Sequence, residues 1–324
     1  MQLTQITSRL MAILLCVAAV SPFQAGAADK FPVRPVQLII PFAPGDTDSM
    51  LRPITDRMGE FLDQPVVMSY KPGAGGAIGA ALVASSKPDG YTVVGTSAGS
   101  IVVAPLANKD LKYTLESFTP VASISAGGFL FVVKSDSPFK SLADLANYSK
   151  QNPGKISYSS SGSLGITHLL AEILSKEAAL EWNHIPYQGG GPAIAALLGG
   201  HVDFSSTAIG SSQTNIKAEK LRALAVIEDA RLKVLPDVPT LKELGYQLGS
   251  PALYGILVPK GTPQEVVDTL YGAVKKVFDK YGDQISEALT TIGAEPKLLG
   301  PVAYSEYLKA QSALFAGAVK AASK

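Results

Sequence analysis

Residues 155–174 read KISYSSSGSLGITHLLAEIL: a short strand, a loop of serines and glycines, then an amphipathic helix. Leu169, Leu170, Ile173 and Leu174 recur at helical spacing, so one face of that helix is buried. The loop offers the hydroxyls of Ser159, Ser160, Ser161, Ser163 and Thr167. Gly162 and Gly165 let the backbone turn and approach a ligand closely. The first free N–H groups of the helix, and the positive end of its dipole, face the loop. Such a construction holds an anion without Lys or Arg. A single loop of this kind is also an ordinary βα turn with a Ser/Thr cap. Repetition along the chain gives it weight.

Working outward, VQLIIP at 36–41 is a continuous apolar run, as in a strand buried on both faces of a parallel sheet. The loop FAPGDTD follows, then a helix whose Met50, Leu51, Ile54, Met58, Phe61 and Leu62 share a face. Asp46 or Thr47 is its expected cap, with Pro53 in or near the first turn. Residues 65–70 form the next expected strand, then PGAGG and a helix over 77–86. A third strand at 91–94 enters the loop GTSAGS. Strand, small-residue loop, helix, three times over, is a doubly wound α/β pattern.

Beyond it, a capping box from Ser141 to Asp144 opens a helix over 141–151. After the quoted stretch come a strand at 183–187, a glycine loop and a helix at 193–198. Residues 202–205, 221–227 and 253–258 read as strands, and Thr240 with Glu243 caps a short helix. Thr262-Pro263-Gln264-Glu265 reads as a full capping box with proline at the first helical position. A last helix spans about 302–321. The expected architecture is α/β with two lobes, each a sheet flanked by helices. The chain crosses between them near 125–131 and again near 250–254. Residues 28–126 and 252–324 make lobe I, and 127–251 make lobe II.

The first 27 residues read as a signal peptide. Arg9 is the only charge, an apolar run over 10–20 is too short to span a bilayer, and Ala25-Gly26-Ala27 offers an A-x-A cleavage site. The expected mature chain starts near Ala28 and is exported and soluble, since no later stretch reaches 18 apolar residues without charge. The one cysteine, Cys16, lies in this segment, and Leu15 before it does not suit a lipoprotein site. The mature chain therefore carries no disulfide, thiolate nucleophile or Cys-based metal site. It holds 27 basic and 27 acidic residues. That balance argues against nucleic acid or an anionic membrane as partner.

Three groups of residues invite a chemical role. GAGGAIG at 73–79 follows a strand and opens a helix, but its third glycine is one residue late and no acid follows about 20 positions on. A dinucleotide cofactor is not expected. GTSAG at 95–99 is a literal G-x-S-x-G after a strand, so a secreted serine hydrolase using Ser97 is the alternative function. No HGGG-type loop precedes it, and His168, His184 and His201 all lie in the opposite expected lobe. Thr96 and Ser97 are the better expected as hydroxyl donors to a ligand. The histidines, 16 and 17 residues apart, match no metal pattern. His168 either lines the cleft or serves as core or cap. Asp203 is either a cap or a ligand contact.

The ordered series PFAPG at 41–45, KPGAGG at 71–76, PDGYT at 88–92, YSSSG at 158–162, PYQG at 186–189, LLGGHVD at 197–203, KLRALAV at 220–226, LPDVPT at 235–240 and VPKGTP at 258–263 closely resembles the periplasmic receptors of tripartite tricarboxylate transporters, the TctC-like or Bug family. The resemblance covers nearly the whole mature length. It implies a two-lobe, type II-like Venus-flytrap binding protein of the periplasm. Such a receptor is not an enzyme and needs no cofactor. It closes on a small carboxylate or amino acid and delivers it to a membrane permease, or signals to a sensor kinase; it is expected as a monomer. Carried over, Phe42, Gly45, Asp46, Asp48, Ala74, Gly75, Thr96 and Ser97 contact the ligand from one lobe. Ser160, Ser161, Gly162, Gly165, Thr167, His168, Asp203 and Thr207 answer from the other.

The chain departs from the family pattern in places. The first loop reads PGDTD where the family often has PGGGTD, so a carboxylate, Asp46, stands at the cleft. It would repel a second acid group and favour a ligand with an amine or amide. Leu164, Gly165 and Ile166 replace glycine and hydroxyl residues. Ala196, Ser205 and Ser206 stand where acidic residues are common.

Overall fold

A computed structural model describes residues 30–249 and 252–322. The expected signal segment, its cleavage point near Ala27/Ala28, and residues 250–251 of the second expected crossing lie outside them.

Two sheets flanked by helices make up the described chain. The first has six strands: β1 (Val36–Ile40), β2 (Val66–Tyr70), β3 (Thr92–Thr96), β4 (Phe118–Gly127), β10 (Ala252–Pro259) and β11 (Glu295–Leu299), in the order β11-β4-β10-β3-β1-β2. β2, β1 and β3 are parallel, whereas β10 runs antiparallel to both β3 and β4. The second has five: β5 (Phe129–Lys134), β6 (Ile156–Ser160), β7 (Trp182–Pro186), β8 (Phe204–Ala208) and β9 (Leu221–Val226), in the order β7-β6-β8-β5-β9. Each sheet is thus mixed, not wholly parallel.

The helices are α1 (Asp46–Leu62), α2 (Ala77–Ala84), α3 (Ala104–Ala107), α4 (Leu142–Gln151), α5 (Ile166–Glu177), α6 (Gly190–Leu198), α7 (Ile209–Lys217), α8 (Gln264–Thr291) and α9 (Pro301–Ala322). Their apolar stripes face the sheets; in α1, Met50, Leu51, Ile54, Met58 and Leu62 are buried. In α5, Leu169, Leu170 and Leu174 are buried as expected from their spacing.

The chain passes from one sheet to the other with almost no linker. β4 ends at Gly127 and β5 starts at Phe129. β10 lies antiparallel along the same segment, pairing Ala252 with Gly127 and Leu253 with Ala126. The two passages therefore sit side by side as a short ribbon, a geometry suited to bending between two bodies.

Several local expectations need correction. α1 is capped by Gly45, not by Asp46 or Thr47. The Asp48 carboxylate, in the third helical position, accepts the Gly45 N–H at 2.7 Å. Pro53 sits well inside α1, not in its first turn. The Thr262 hydroxyl donates to the Pro259 carbonyl at 2.8 Å, and Pro263 is the cap residue of α8, so no capping box forms there. Thr240 and Glu243 do exchange cap bonds, at 2.8 and 3.1 Å, but close only a turn. The strand expected at 202–205 begins at Phe204, which puts Asp203 before it and Thr207 inside it. The Ser141–Asp144 box forms as expected, with bonds of 2.8 and 3.1 Å.

Candidate ligand cleft

Helices α1, α5, α6 and α7 all begin at the seam between the two sheets. Their N-termini surround one enclosed cavity: Asp46 and Thr47 open α1, Ile166 and Thr167 open α5, Gly190 opens α6, and Ala208 precedes α7. Phe42, Ala43, Ser97, Phe129, Ser161, Ser211 and Tyr254 complete the wall, with no Lys, Arg or His among them. Four positive helix ends aimed at one space favour a negative charge there. Larger hollows exist, one of about 550 Å³ beside the passage between sheets, but it is a surface groove lined by residues such as Arg231, Lys233 and Glu295.

The polar groups at the wall fall into two kinds. Ser97 is almost fully buried and its hydroxyl has no partner among the described residues. The Thr167 hydroxyl accepts the Ser161 N–H at 3.0 Å and lies 2.8 Å from the Ser161 hydroxyl. Whichever of the two donates in that pair, one O–H is left over for a ligand.

Across the seam the backbones touch. The Ala43 N–H donates to the Gln188 carbonyl at 2.8 Å. A Cβ placed on Gly75, at φ +63, would stand 2.6 Å from the Ser163 carbonyl oxygen and 2.7 Å from the Gly165 nitrogen. One on Gly162, at φ +144, would stand 2.8 Å from Gly75. Gly45 meets Gly191 in the same way, its Cβ position being 3.0 Å from the Gly191 nitrogen. Glycine at these positions is what lets the two sides shut. In this shut form the walls leave a small cavity of about 20 Å³.

Of the residues expected to hold a ligand, Phe42, Asp46, Ser97, Ser161 and Thr167 line the cavity, while Gly45, Gly75, Gly162 and Gly165 form the touching walls. Ala74, at φ +49, shapes the turn that presents Gly75. The others bond elsewhere. Thr96 is paired with Ser100 at 2.7 Å. Asp48 is held by Gly45 and by the Tyr70 hydroxyl at 3.0 Å, with Arg52 3.7 Å away. Ser160 bonds His184 Nε2 at 2.7 Å. His168 Nδ1 accepts the Leu164 N–H, and its ring stacks on His184 at 3.9 Å. Burial holds both imidazoles below their usual range, His184 at about 4 with the His168 ring adding to the effect. Asp203 accepts the Ser157 N–H and hydroxyl at 2.7 Å each, and Thr207 is enclosed within β8.

Residues not foreseen at the cavity are Ala43, Thr47, Phe129, Ile166, Gly190, Ala208, Ser211 and Tyr254. The glycine run at 189–191 was the one available signal, since it opens α6 three residues before the expected start.

Among the described residues, Asp46 is the only carboxylate at the wall. Its Oδ2 accepts the Tyr254 hydroxyl at 2.7 Å. Burial pushes the carboxyl up to about 7, with the Asp48 charge adding to that, while the Tyr254 hydroxyl and the nearby Gly210 amide pull it down.

The hydrolase alternative finds no geometry here. The His168 and His184 bonds go to Leu164 and Ser160, not Ser97. Nor is Ser97 among the non-glycine residues at positive φ, as a strained nucleophile elbow would suggest.

Comparison with known proteins gives the same picture. Residues 50–317 match the model of the family described as tripartite tricarboxylate transporter family receptor, TctC. A Cupriavidus necator protein, the UPF0065 protein in the gbd 5' region, is 36% identical over 290 residues, 89% of this chain and 87% of its own. The structure of the periplasmic binding protein BugD is 32% identical with a TM-score of 0.85, covering 90% of this chain and 99% of BugD. MatC from Rhodopseudomonas palustris with bound malate is 29% identical with a TM-score of 0.84, over 89% of this chain and all of MatC.

Proposed function

Because this chain belongs to the tripartite tricarboxylate transporter receptor family, and is thus a periplasmic solute-binding receptor, we propose that it shuts on a small carboxylate in the cavity between its two sheets. The convergence of four helix N-termini on one enclosed space without Lys, Arg or His carries this reading. The ligand carboxylate sits against the free amides of α5 and α6 and takes the spare hydroxyls of Ser97 and of the Ser161–Thr167 pair. Phe42 and Phe129 cover its apolar part.

Residues 28–126 with 252–324 move as one body and 127–251 as the other, bending at the ribbon of β4 and β10. The ligand touches both bodies only when they are shut, so binding shifts the population toward that form. The cavity must open to admit a carboxylate and close again around it. The first 27 residues act as a removed signal peptide, the receptor works as a monomer without catalysis, and the ligand passes to a membrane permease.

Residues 28–324, unfolded and refolded to strip carried ligand, are the material for a thermal-shift panel of dicarboxylates, tricarboxylates, aromatic acids and amino acids, alongside a p-nitrophenyl ester assay. One class at 100 times its dissociation constant adds about 2.7 kcal/mol, a rise of several degrees, with no ester turnover. No shift with any acid, together with turnover lost in Ser97→Ala, would overturn the proposal in favour of a hydrolase.

A further inference from the structure

The cavity contains two polar atoms that the protein leaves unsatisfied. Asp46 Oδ1 is buried and completes no hydrogen bond, the Gly210 amide lying near the carboxylate without bonding geometry, although Oδ2 of the same carboxylate holds the Tyr254 hydroxyl. The Ser211 hydroxyl, on the opposite side of the seam, is likewise buried without a partner. Both flank Gly190: a Cβ built there would stand 2.1 Å from Ser211 Oγ and 3.5 Å from Asp46 Cβ. Oδ1 itself lies over the start of α7, 2.7 Å from where a Gly210 Cβ would be. Native proteins seldom leave buried polar atoms idle, and a carboxylate oxygen with a hydroxyl that can accept beside the same glycine suits a donor from outside.

We propose that Asp46 and Ser211 form a subsite for the ammonium group of the ligand, so that the receptor takes a small α-amino acid in preference to the matching dicarboxylate. The proposal rests on the reading above that this cavity is the ligand site. An ammonium group brings three donors and no acceptor, enough for Asp46 Oδ1, Ser211 Oγ and one carbonyl. The ligand's carboxylate then turns to the helix N-termini, which satisfies both ends of a zwitterion. An amino acid with one carboxylate adds no net charge to that of Asp46, and L-aspartate or L-glutamate adds one negative charge where succinate or glutarate adds two.

A dicarboxylate meets a different situation. Its second acid group would stand against the Asp46 carboxyl, and two like charges at contact cannot both stay ionised. Asp46 must then keep a proton, which its burial already favours. The other groups facing Asp46 do not relieve this. Its own helix presents Asp48, already committed to Gly45, Tyr70 and Arg52. The passage strand presents Tyr254, and the first turns of α6 and α7 carry no charge. Binding an amino acid at pH 8 leaves Asp46 ionised, whereas binding a dicarboxylate takes up a proton.

Calorimetry of the stripped chain at pH 8, with L-aspartate against succinate and L-glutamate against glutarate, tests the assignment in wild-type protein. At least one amino acid should bind about 100-fold tighter than its partner lacking the amine. Asp46→Asn should cut that ratio by about tenfold or more and tighten succinate or glutarate, and Ser211→Ala should cut it several-fold. Repeating each titration in buffers of different ionisation enthalpy should show proton uptake for the dicarboxylates and little proton exchange for the amino acids. Amino acids and dicarboxylates bound within threefold of each other, or a ratio unmoved by Asp46→Asn, would overturn the subsite and leave the receptor intact. Failure of every carboxylate to bind would overturn both.

Discussion

Gly191→Ala should weaken ligand binding by about 10- to 100-fold while leaving the melting temperature of the ligand-free protein unchanged or slightly raised. Gly191 is in the first turn of α6 at an ordinary helical φ, since it is not among the glycines in the left-handed region. Alanine there is the better helix former by about 0.5–1 kcal/mol. The added methyl would, however, stand 2.7 Å from the Pro44 carbonyl oxygen on the other side of the seam. Backbone cannot yield as a side chain does, and overpacking of this kind costs about 1–3 kcal/mol. Only the shut form bears that cost, so it appears as lost affinity, tenfold for each 1.4 kcal/mol or so. Gly272→Ala in α8, where a Cβ meets nothing within 4 Å, is the control and should leave affinity alone. Titration calorimetry with a melting curve for each variant separates the two effects. A Gly191→Ala protein that binds like wild type would show that the seam does not shut as described.

Glu228→Gln should stabilise the protein by a few kcal/mol at pH 8 and have little effect at pH 4. Glu228 is buried beside the passage between sheets, and its Oε1 has no hydrogen-bond partner. Burial pushes its carboxyl up to about 9, the Asp229 charge adds to this, and the Ala252 backbone opposes it. The folded protein therefore holds this proton more tightly than the unfolded chain does. Stability is full below the ordinary glutamate range and is lost as pH rises toward 9, by at most about 1.4 kcal/mol per pH unit. Denaturant melts from pH 4 to 9 should show wild type falling away from the variant as pH rises. Parallel curves would mean that the carboxyl finds a partner or water at high pH.

Much of the architecture is legible in the sequence because its signals are local. The apolar runs of β1 and β10, the stripe of α1 and the Ser141–Asp144 box each depend on a few neighbouring residues. α7 was not legible: IGSSQTNIK has only Ile209 and Ile216 as large apolar residues, and tertiary packing makes it a helix. β8 reads FSSTA: a strand was expected at 202–205, and the fully buried serines hid its run to Ala208. Part of the seam was visible as glycine-rich loops, since positive φ and close approach both call for glycine. What the loops touch was not. Asp46 meets Tyr254 208 residues later, and no local spacing announces that pairing. Asp48 and Asp203 show the converse limit. A carboxylate near a loop serves equally as cap or ligand contact, and in this structure both close backbone amides.

Small-angle scattering of the stripped chain, with and without the panel carboxylate that raises its melting temperature most, puts the shutting motion to trial. The free protein should have a larger radius of gyration than the same protein with saturating ligand. An unchanged radius at a ligand concentration that calorimetry shows to be saturating would contradict capture by closure of two bodies.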